Sequence, residues 1–347
     1  MDTQTADLIE TLERDGLVML RGILDPSLVR QANEEVEARL RNDLAERRQA
    51  GVGTGHFHGT SGRSQLDEAK HLLIDFFAKS PALDQLASQL IREPRVAAVA
   101  EKMVGKHCKL RGYNIRHLTG TANNSAMEWH RDNRGEFNFA ILLNETAPED
   151  DGATCYIPGS HLYPYCPFQT LHLRTPYARY SPKMGYFSGR LLRKVTRQTR
   201  SAYGAPGDAY LFVGDVWHGR QPNLNGRTGT VLFFAVFPGE MPFPAHSPVE
   251  IPEPQVMEAL PPELRKIVQY DRVPANPDRS AYLYAMEERR QGLGLVSLWR
   301  AAMWERKYSM ADLRARAAGS LVRGLRALIP SRARPWLKRL KRKTSAG

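Results

Sequence analysis

The hydrophobic period of this chain changes near Lys109, and that change limits the folds the chain can adopt. Before it, apolar residues recur at helical spacing in segments 5–14, 28–48, 67–78, 81–91 and 94–104. One extended run, 17–20, interrupts them. After it, short extended runs separated by turn residues lie at 109–118, 137–144, 153–157, 209–212 and 230–237.

Helices grouped before a series of short strands favour a mainly β fold with flanking helices. The predicted architecture is a double-stranded β-helix, also called a jelly-roll or cupin-like barrel, in residues 1–240. Pro-rich residues 238–262 lead to predicted helices at 262–270, 280–290 and 295–318, so a linker and helical extension is predicted for 241–318. Residues 319–347 are predicted to form a basic tail, amphipathic or disordered.

A candidate metal site lies where the barrel strands begin. His130 and Asp132 are two residues apart, so on a strand both side chains point to one face. A second histidine from a distant strand, His218, would complete two nitrogens and one carboxylate oxygen around a metal. This is the 2-His-1-carboxylate triad, which leaves positions open on Fe(II). His-x-Asp alone occurs often by chance, and hydrogen-bonded histidines are the alternative.

A glycine-rich segment, Gly51 to Gly62, contains two further histidines, His56 and His58. No further ligand lies nearby in the sequence, so a metal site there is disfavoured. We interpret the segment as a loop that covers substrate.

The positive charge of the chain is confined to two regions. The formal net charge is +12, but residues 152–207 contain eight Lys/Arg and no acid, and residues 313–347 contain eleven and no acid. Without those 19 basic residues, 30 remain against 37 acidic ones, which gives −7. The basicity therefore belongs to an internal insert, at about 165–203, and to the tail.

The cysteine pattern and the absence of apolar segments favour a cytoplasmic protein. The three cysteines, Cys108, Cys155 and Cys166, lack the number and spacing of a disulfide framework. The first residues include no secretory signal, and no apolar run approaches the roughly 20 residues of a membrane span.

Several motifs together resemble the phytanoyl-CoA dioxygenase family of Fe(II)/2-oxoglutarate oxygenases, over about residues 8–240. The matching motifs are Asp15-Gly16-Leu17-Val18 with Arg21-Gly22, Trp129-His130-Arg131-Asp132, Asp151-Gly152 through Ile157-Pro158-Gly159-Ser160-His161, and Gly207-Asp208 through His218-Gly219 to Pro222-Asn223. Their order agrees with the family, as does the separation of 88 residues between His130 and His218.

The resemblance implies that His130, Asp132 and His218 hold Fe(II), and that 2-oxoglutarate and O2 are cosubstrates. In the family an arginine near the start of the strand after the second histidine binds the far carboxylate of 2-oxoglutarate. This chain has Gly229 at that position. Arg227 is our predicted substitute because it keeps the same side-chain parity. The alternatives are Arg220, Arg116 and Asn114, and Arg131 stands where many members have glutamine.

The reaction implied by the resemblance is hydroxylation of a C–H bond with release of succinate and CO2. Related halogenases lack the carboxylate ligand, whereas this chain has Asp132. Two alternatives stay open: desaturation, cyclisation or epimerisation by a family member, or a non-catalytic barrel that binds a ligand or partner.

The two basic regions suggest partners. The insert is predicted to contact an anionic small or lipid-linked substrate, with a solvated loop as the alternative. In the tail, arginines and apolar residues alternate at helical spacing, which fits a helix at the inner face of an anionic membrane. A disordered tail is the alternative; nucleic-acid binding is disfavoured because no recognised module accompanies it.

Overall fold

A computed structural model describes residues 2–60, 62–67, 70–76, 78–118, 127–130, 132, 135–148, 151–162, 199–216, 218–221, 223–239 and 253–268. Residues 165–198 of the insert, the predicted helices 280–290 and 295–318, and the basic tail lie outside these residues, as do Arg131 and Cys166. What the sequence predicts for them stays a prediction.

The helices before the barrel begin at capping residues that the sequence contains. The α-helices are α1 (Thr3–Asp15), α2 (Pro26–Gln49), α3 (Pro81–Arg92) and α4 (Pro94–Val104). Asp25 illustrates the capping: its carboxylate accepts from the backbone N–H groups of Ser27 and Leu28, and Pro26 occupies the first turn. Two short helices, Pro254–Ala259 and Pro262–Val268, follow the barrel.

Two antiparallel sheets form the barrel and confirm the predicted fold class. The strands are β1 (Leu17–Leu20), β2 (Gly55–Gly59), β3 (Gly62–Leu66), β4 (Lys70–Ile74), β5 (Cys108–Leu118), β6 (Met127–His130), β7 (Phe137–Leu142), β8 (Thr154–Tyr156), β9 (Arg200–Ala202), β10 (Ala209–Val213), β11 (His218–Arg220) and β12 (Gly229–Pro238). The eight-stranded sheet has the order β1-β10-β7-β12-β5-β4-β3-β2, and the four-stranded sheet β6-β11-β8-β9.

Residues 55–74 correct the sequence prediction. The glycine-rich segment and the predicted helix 67–78 form an antiparallel meander, β2 to β4, whose last strand pairs with β5. Strand β4 pairs with β5 and so adds to the large sheet of the barrel. This tertiary pairing overrides the weak helical pattern of the segment. His56 and His58 are exposed on β2.

The main hydrophobic core lies between the large sheet and the helices. Phe139 and Phe234 stack with ring centroids 4.6 Å apart, and Val99 of α4 is buried in the same cluster. A second cluster fills the interior between the two sheets, where Tyr156 of β8 belongs with Tyr210 of β10. Side chains of both sheets therefore pack into the space between them, and Phe212 of this cluster also lines a cavity there.

The described residues include two of the three cysteines, Cys108 and Cys155, and both are free thiols. Among these residues the structure contains no helix that is long and apolar enough to span a membrane.

Candidate metal centre and cosubstrate pocket

The structure brings Asp132 and His218 together from two different parts of the chain. His218 Nε2 lies 3.5 Å from Asp132 Oδ2. Two ligand atoms that are each about 2.1 Å from one ion lie roughly 3 to 3.5 Å apart, so this separation fits a shared metal. The His218 Nδ1 atom lies 2.9 Å from the carbonyl oxygen of Val216. A carbonyl can only accept, so Nδ1 carries the proton and Nε2 presents the lone pair that a metal requires.

The backbone and one neighbouring amide hold Asp132 in this position. Its N–H donates to the carbonyl of Gly214 at 2.8 Å, which ties it to the end of β10. The Asn138 amide donates to Asp132 Oδ2 at 3.1 Å. The Phe212 ring meets the imidazole of His218 edge to face, with centroids 4.9 Å apart. Both candidate ligand side chains are therefore oriented by neighbouring groups, as the ligands of a metal site commonly are.

His130 is brought opposite His218 by strand pairing. The two residues are register partners across the antiparallel pair of β6 and β11. Only the backbone of His130 is described. The register nevertheless puts the third predicted ligand next to the second one, as a shared metal requires.

A cavity of about 240 Å³ extends from this pair into the barrel. It is lined by residues of both sheets: Lys70, Leu72, Gly112, Asn114, Arg116, Asp132, Glu136, Asn138, Thr154, Phe212, His218, Gly219, Phe233, Phe234 and Ala235. Asp132 and Glu136 belong to the same end, because the N–H of Asp132 and the carbonyl of Glu136 both bond to Gly214. The cavity is therefore acidic at its metal end and basic elsewhere.

Arg116 is the buried cation of this cavity. It is 9% exposed, its Nη2 lies 3.4 Å from Thr154 Oγ1, and its guanidinium carbon lies 4.4 Å from the centroid of the Phe233 ring. Within the part of the chain that is described, its Nε has no hydrogen-bond partner. Burial lowers the pKa of the guanidinium, and Tyr210 opposes this shift. A buried guanidinium without a carboxylate is costly until an anion joins it.

The other residues that the sequence proposed for 2-oxoglutarate lie in different places. Arg227 is half exposed, 3.9 Å from Asp151 and 4.0 Å from Glu145, and is not among the cavity residues. Strand β12 begins only at Gly229, so Arg227 lies in the loop before it and not on the strand. Asn114 lines the cavity, but its Oδ1 accepts from the N–H of Asp75 at 3.2 Å.

Sequence reasoning missed Lys70, Asn138 and Thr154, which all line the cavity. Lys70 fell in a segment predicted as helix. Asn138 was detectable in principle, because it is the polar residue within the otherwise apolar strand β7. Thr154 has no such signal, since threonine is an ordinary strand residue.

A histidine–carboxylate pair inside a barrel of this kind fits the metal sites of non-haem iron oxygenases. The model of the family described as phytanoyl-CoA dioxygenase (PhyH) matches residues 12–229. The chain belongs to the phytanoyl-CoA dioxygenase family. It is thus a 2-oxoglutarate-dependent non-haem iron dioxygenase, and its family uses Fe(II), 2-oxoglutarate and O2. The predictions of family and cofactors are confirmed.

Two curated dioxygenases of Talaromyces verruculosus are similar to the chain. Dioxygenase cdmA is 24% identical over 315 residues, or 85% of this chain and 93% of that protein. Dioxygenase cdmD is 24% identical over 290 residues, or 77% of this chain and 84% of that protein. Among solved structures, EctD from S. alaskensis with bound Fe has a TM-score of 0.45 and 19% identity, over 73% of this chain and 82% of that one.

Proposed function

We propose that this dioxygenase hydroxylates a C–H bond of a small or lipid-linked metabolite, with Fe(II) held by His130, Asp132 and His218. The observation that carries the metal assignment is the 3.5 Å approach of His218 Nε2 to Asp132 Oδ2, with the proton of His218 on the opposite nitrogen. Bound there, Fe(II) supplies O2 activation coupled to decarboxylation of 2-oxoglutarate. The chain's own residues orient the ligands and exclude water.

We assign the far carboxylate of 2-oxoglutarate to Arg116 rather than to Arg227. Val231, two residues after Gly229, is the register partner of Arg116 across β12 and β5. Directly paired residues share a sheet face, so Arg116 stands on the face that an arginine at 229 would occupy. Arg116 and Gly229 also border one small void. In this proposal the arginine that binds the carboxylate lies on β5, the strand that pairs with β12.

The surroundings of Arg116 support this role. Thr154 Oγ1 lies within 3.4 Å of its Nη2 and 2.8 Å from the Tyr210 hydroxyl, so two hydroxyl groups stand beside the guanidinium. A carboxylate there would receive a charge-assisted bond from the guanidinium together with hydroxyl donors. The Phe233 ring beneath the guanidinium fixes its plane.

Anaerobic titration of the Fe(II)-loaded protein with 2-oxoglutarate tests the proposed function. We expect the weak visible charge-transfer band of a chelated keto acid in the wild type, and succinate formation once O2 and substrate are supplied. The band should be lost in His218→Ala. Bound iron without any band would contradict the proposal and favour a binding role for the barrel.

Product analysis then tests hydroxylation. A product heavier than its substrate by one oxygen atom confirms it. A product that has lost two hydrogens would instead indicate desaturation or cyclisation. A product of unchanged mass that is a stereoisomer of the substrate would indicate epimerisation. Residues 165–198 of the basic insert, from which the anionic character of the substrate was predicted, lie outside the described residues.

A further inference from the structure

Gly112 of β5 lines the cavity, although neither the backbone nor the packing requires a glycine there. Its φ lies outside the left-handed region, so any L-residue can adopt the same backbone conformation. Among the described residues, a Cβ atom at this position would meet one heavy atom, Asn114 Nδ2, at 3.3 Å. That atom is the end of a side chain and not backbone. The missing side chain of Gly112 therefore adds volume to the cavity and relieves no strain in the fold.

The strand pairing beside Gly112 is irregular. Ala235 of β12 is the register partner of Gly112, whereas the next residue, Val236, pairs with Leu110, so β5 has one extra residue here. This is a β-bulge, a feature that often lies beside active sites because it redirects side chains. Ala235 lines the cavity as well. Two small residues therefore stand opposite each other at the point where the sheet bends.

The register arranges one face of the large sheet in three rows. The first row is Asn138, Ala235 and Gly112, the second is Ala140, Phe233 and Asn114, and the third is Leu142, Val231 and Arg116. Successive rows are roughly 7 Å apart along the strands, and neighbouring strands are roughly 5 Å apart. Gly112 and Arg116 are therefore separated by roughly 13 Å along β5.

The proposed cosubstrate crosses these rows diagonally. In the first row, the Asn138 amide donates to Asp132 at 3.1 Å, so this end of β7 is next to the metal ligands. In the second row, the Phe233 ring lies 4.4 Å from the guanidinium carbon of Arg116. A 2-oxoglutarate molecule that joins the metal to Arg116 therefore runs over Phe233. This path leaves the corner of the sheet at Gly112 uncovered.

Asn114 directs a polar group into that corner. Its Oδ1 accepts from the N–H of Asp75 at 3.2 Å, and this bond decides which end of the amide is the oxygen. The other end, Nδ2, is the atom that lies close to the missing side chain of Gly112. The amide therefore presents N–H donors beside the open volume.

We propose that Gly112, Ala235 and Asn114 form the substrate subsite of this cavity, where Asn114 Nδ2 donates to a neutral oxygen of the substrate, a carbonyl or a hydroxyl. This inference deepens the proposed function and rests on it, because it presupposes 2-oxoglutarate at Arg116. An amide suits a neutral oxygen, whereas a carboxylate or phosphate is bound more strongly by a guanidinium. The volume left by Gly112 limits the size of the group that fits.

The test follows two probes by fluorine NMR in protein loaded with Co(II) and saturated with N-oxalylglycine, an inert analogue of 2-oxoglutarate. One probe, 4-fluoroacetophenone, has a neutral carbonyl oxygen, and the other, 4-fluoroethylbenzene, has a similar shape without it. We expect both to bind, the ketone about tenfold more tightly because it gains a hydrogen bond. Co(II) should broaden both signals far more than diamagnetic Zn(II) does, since the subsite adjoins the metal.

Two variants separate the amide from the volume. Asn114→Leu removes the N–H donors at similar size, so the preference for the ketone should fall to within about twofold. This ratio cancels any change in packing that affects both probes. Gly112→Val fills the corner and should weaken both probes at least about tenfold. Its affinity for N-oxalylglycine should stay within about twofold of wild type, which also shows that the variant folds.

The matched control is Gly53→Val. Gly53 is exposed, its φ also lies outside the left-handed region, and a Cβ there would meet no heavy atom of the described residues within 4 Å. This variant should bind both probes as wild type does. If Gly112→Val does not bind the metal, Gly112→Ala repeats the test with a smaller side chain and should weaken both probes by about threefold.

The outcomes distinguish this subsite from the proposed function. If N-oxalylglycine binds but neither probe does, or if the glycine variants bind both probes as wild type does, the subsite is wrong and the proposed function stands. An unchanged preference for the ketone in Asn114→Leu would remove Asn114 from it. Tighter binding of 4-fluorobenzoate than of the ketone, retained in Asn114→Leu, would assign an anionic substrate instead. If N-oxalylglycine does not bind the Co(II)-loaded wild type, the proposed function fails and the subsite fails with it.

Discussion

The two ends of the cavity are built in opposite ways. At the metal end, the N–H of Asp132 and the carbonyl of Glu136 bond to one glycine of the loop after β10, and His218 presents Nε2 to Asp132. At the other end, Lys70 and Arg116 extend from two strands of the large sheet. A metal holds its ligands within a few ångströms, and two of the three predicted here, His130 and Asp132, lie in one short motif. A carboxylate can be reached by a long guanidinium from several positions on one sheet face.

The largest expected effect is at the metal end. His218→Ala removes the imidazole that lies 3.5 Å from Asp132, and we expect at least a 100-fold loss of Fe(II) affinity and no measurable succinate formation. Metal binding followed by calorimetry checks this. His56→Ala, in an exposed histidine of β2, is the control and should behave as wild type. Retained turnover in His218→Ala would remove the metal assignment.

At the basic end, Arg116→Gln should weaken 2-oxoglutarate about 100-fold, because a charge-assisted contact in a buried site is lost. The matched control is Arg227→Gln, which removes the half-exposed arginine beside Asp151. The dissociation constant from the anaerobic titration is the measurement. The reverse ranking of the two variants would restore Arg227, the residue that the sequence favoured.

A smaller effect is expected from the amide that orients Asp132. Asn138→Ala removes the 3.1 Å hydrogen bond to Asp132 Oδ2 and should lower metal affinity about tenfold. The affinity for 2-oxoglutarate of the metal-saturated protein should stay within about twofold of wild type. Equal loss of both affinities would mean that the two ends of the cavity are not independent.

The smallest effect on 2-oxoglutarate binding is expected for His117, which lies on the face of β5 opposite to Arg116. Burial, together with the nearby His71, lowers the pKa of His117 from 6.5 to about 4. The unfolded chain therefore takes up this proton first, and the histidine should cost the fold up to about 3 kcal/mol as pH falls from about 6.5 to 4.

His117→Gln isolates that contribution. Denaturant unfolding should show a shallower loss of stability between pH 6.5 and 4 than in wild type, with unchanged 2-oxoglutarate affinity at pH 7. A change in that affinity would indicate that a substitution in β5 alters the position of neighbouring residues of the strand. The effect of Arg116→Gln could then not be assigned to the loss of its charge.

The barrel strands were predictable because their apolar runs are bounded by turn residues. β5, β7, β10 and β12 lie within a residue or two of their predicted bounds, for example Phe137–Leu142 against 137–144. The meander was not predictable in the same way. Its strands include Gly55–Gly59 and Gly62–Leu66, which have few β-branched or aromatic residues, and their pairing depends on β5.

The residues of the candidate site differ in predictability for the same reason. Asp132 and His218 were predicted because ligand types and spacing are visible in a motif. Arg116 was named from the sequence only as an alternative to Arg227, because its position opposite Val231 depends on the register of β5 and β12. Side chains that are distant in sequence reach the same site when strand pairing places them on one sheet face.

The most direct test of the central claim compares 2-oxoglutarate with 2-oxopentanoate, which has a methyl group in place of the far carboxylate. Both are titrated anaerobically into Fe(II)-loaded wild type and Arg116→Gln, with the charge-transfer band as readout. The account predicts that wild type prefers 2-oxoglutarate about 100-fold and that Arg116→Gln loses most of this preference. An undiminished preference in Arg116→Gln would contradict the account, because another residue would then bind the carboxylate.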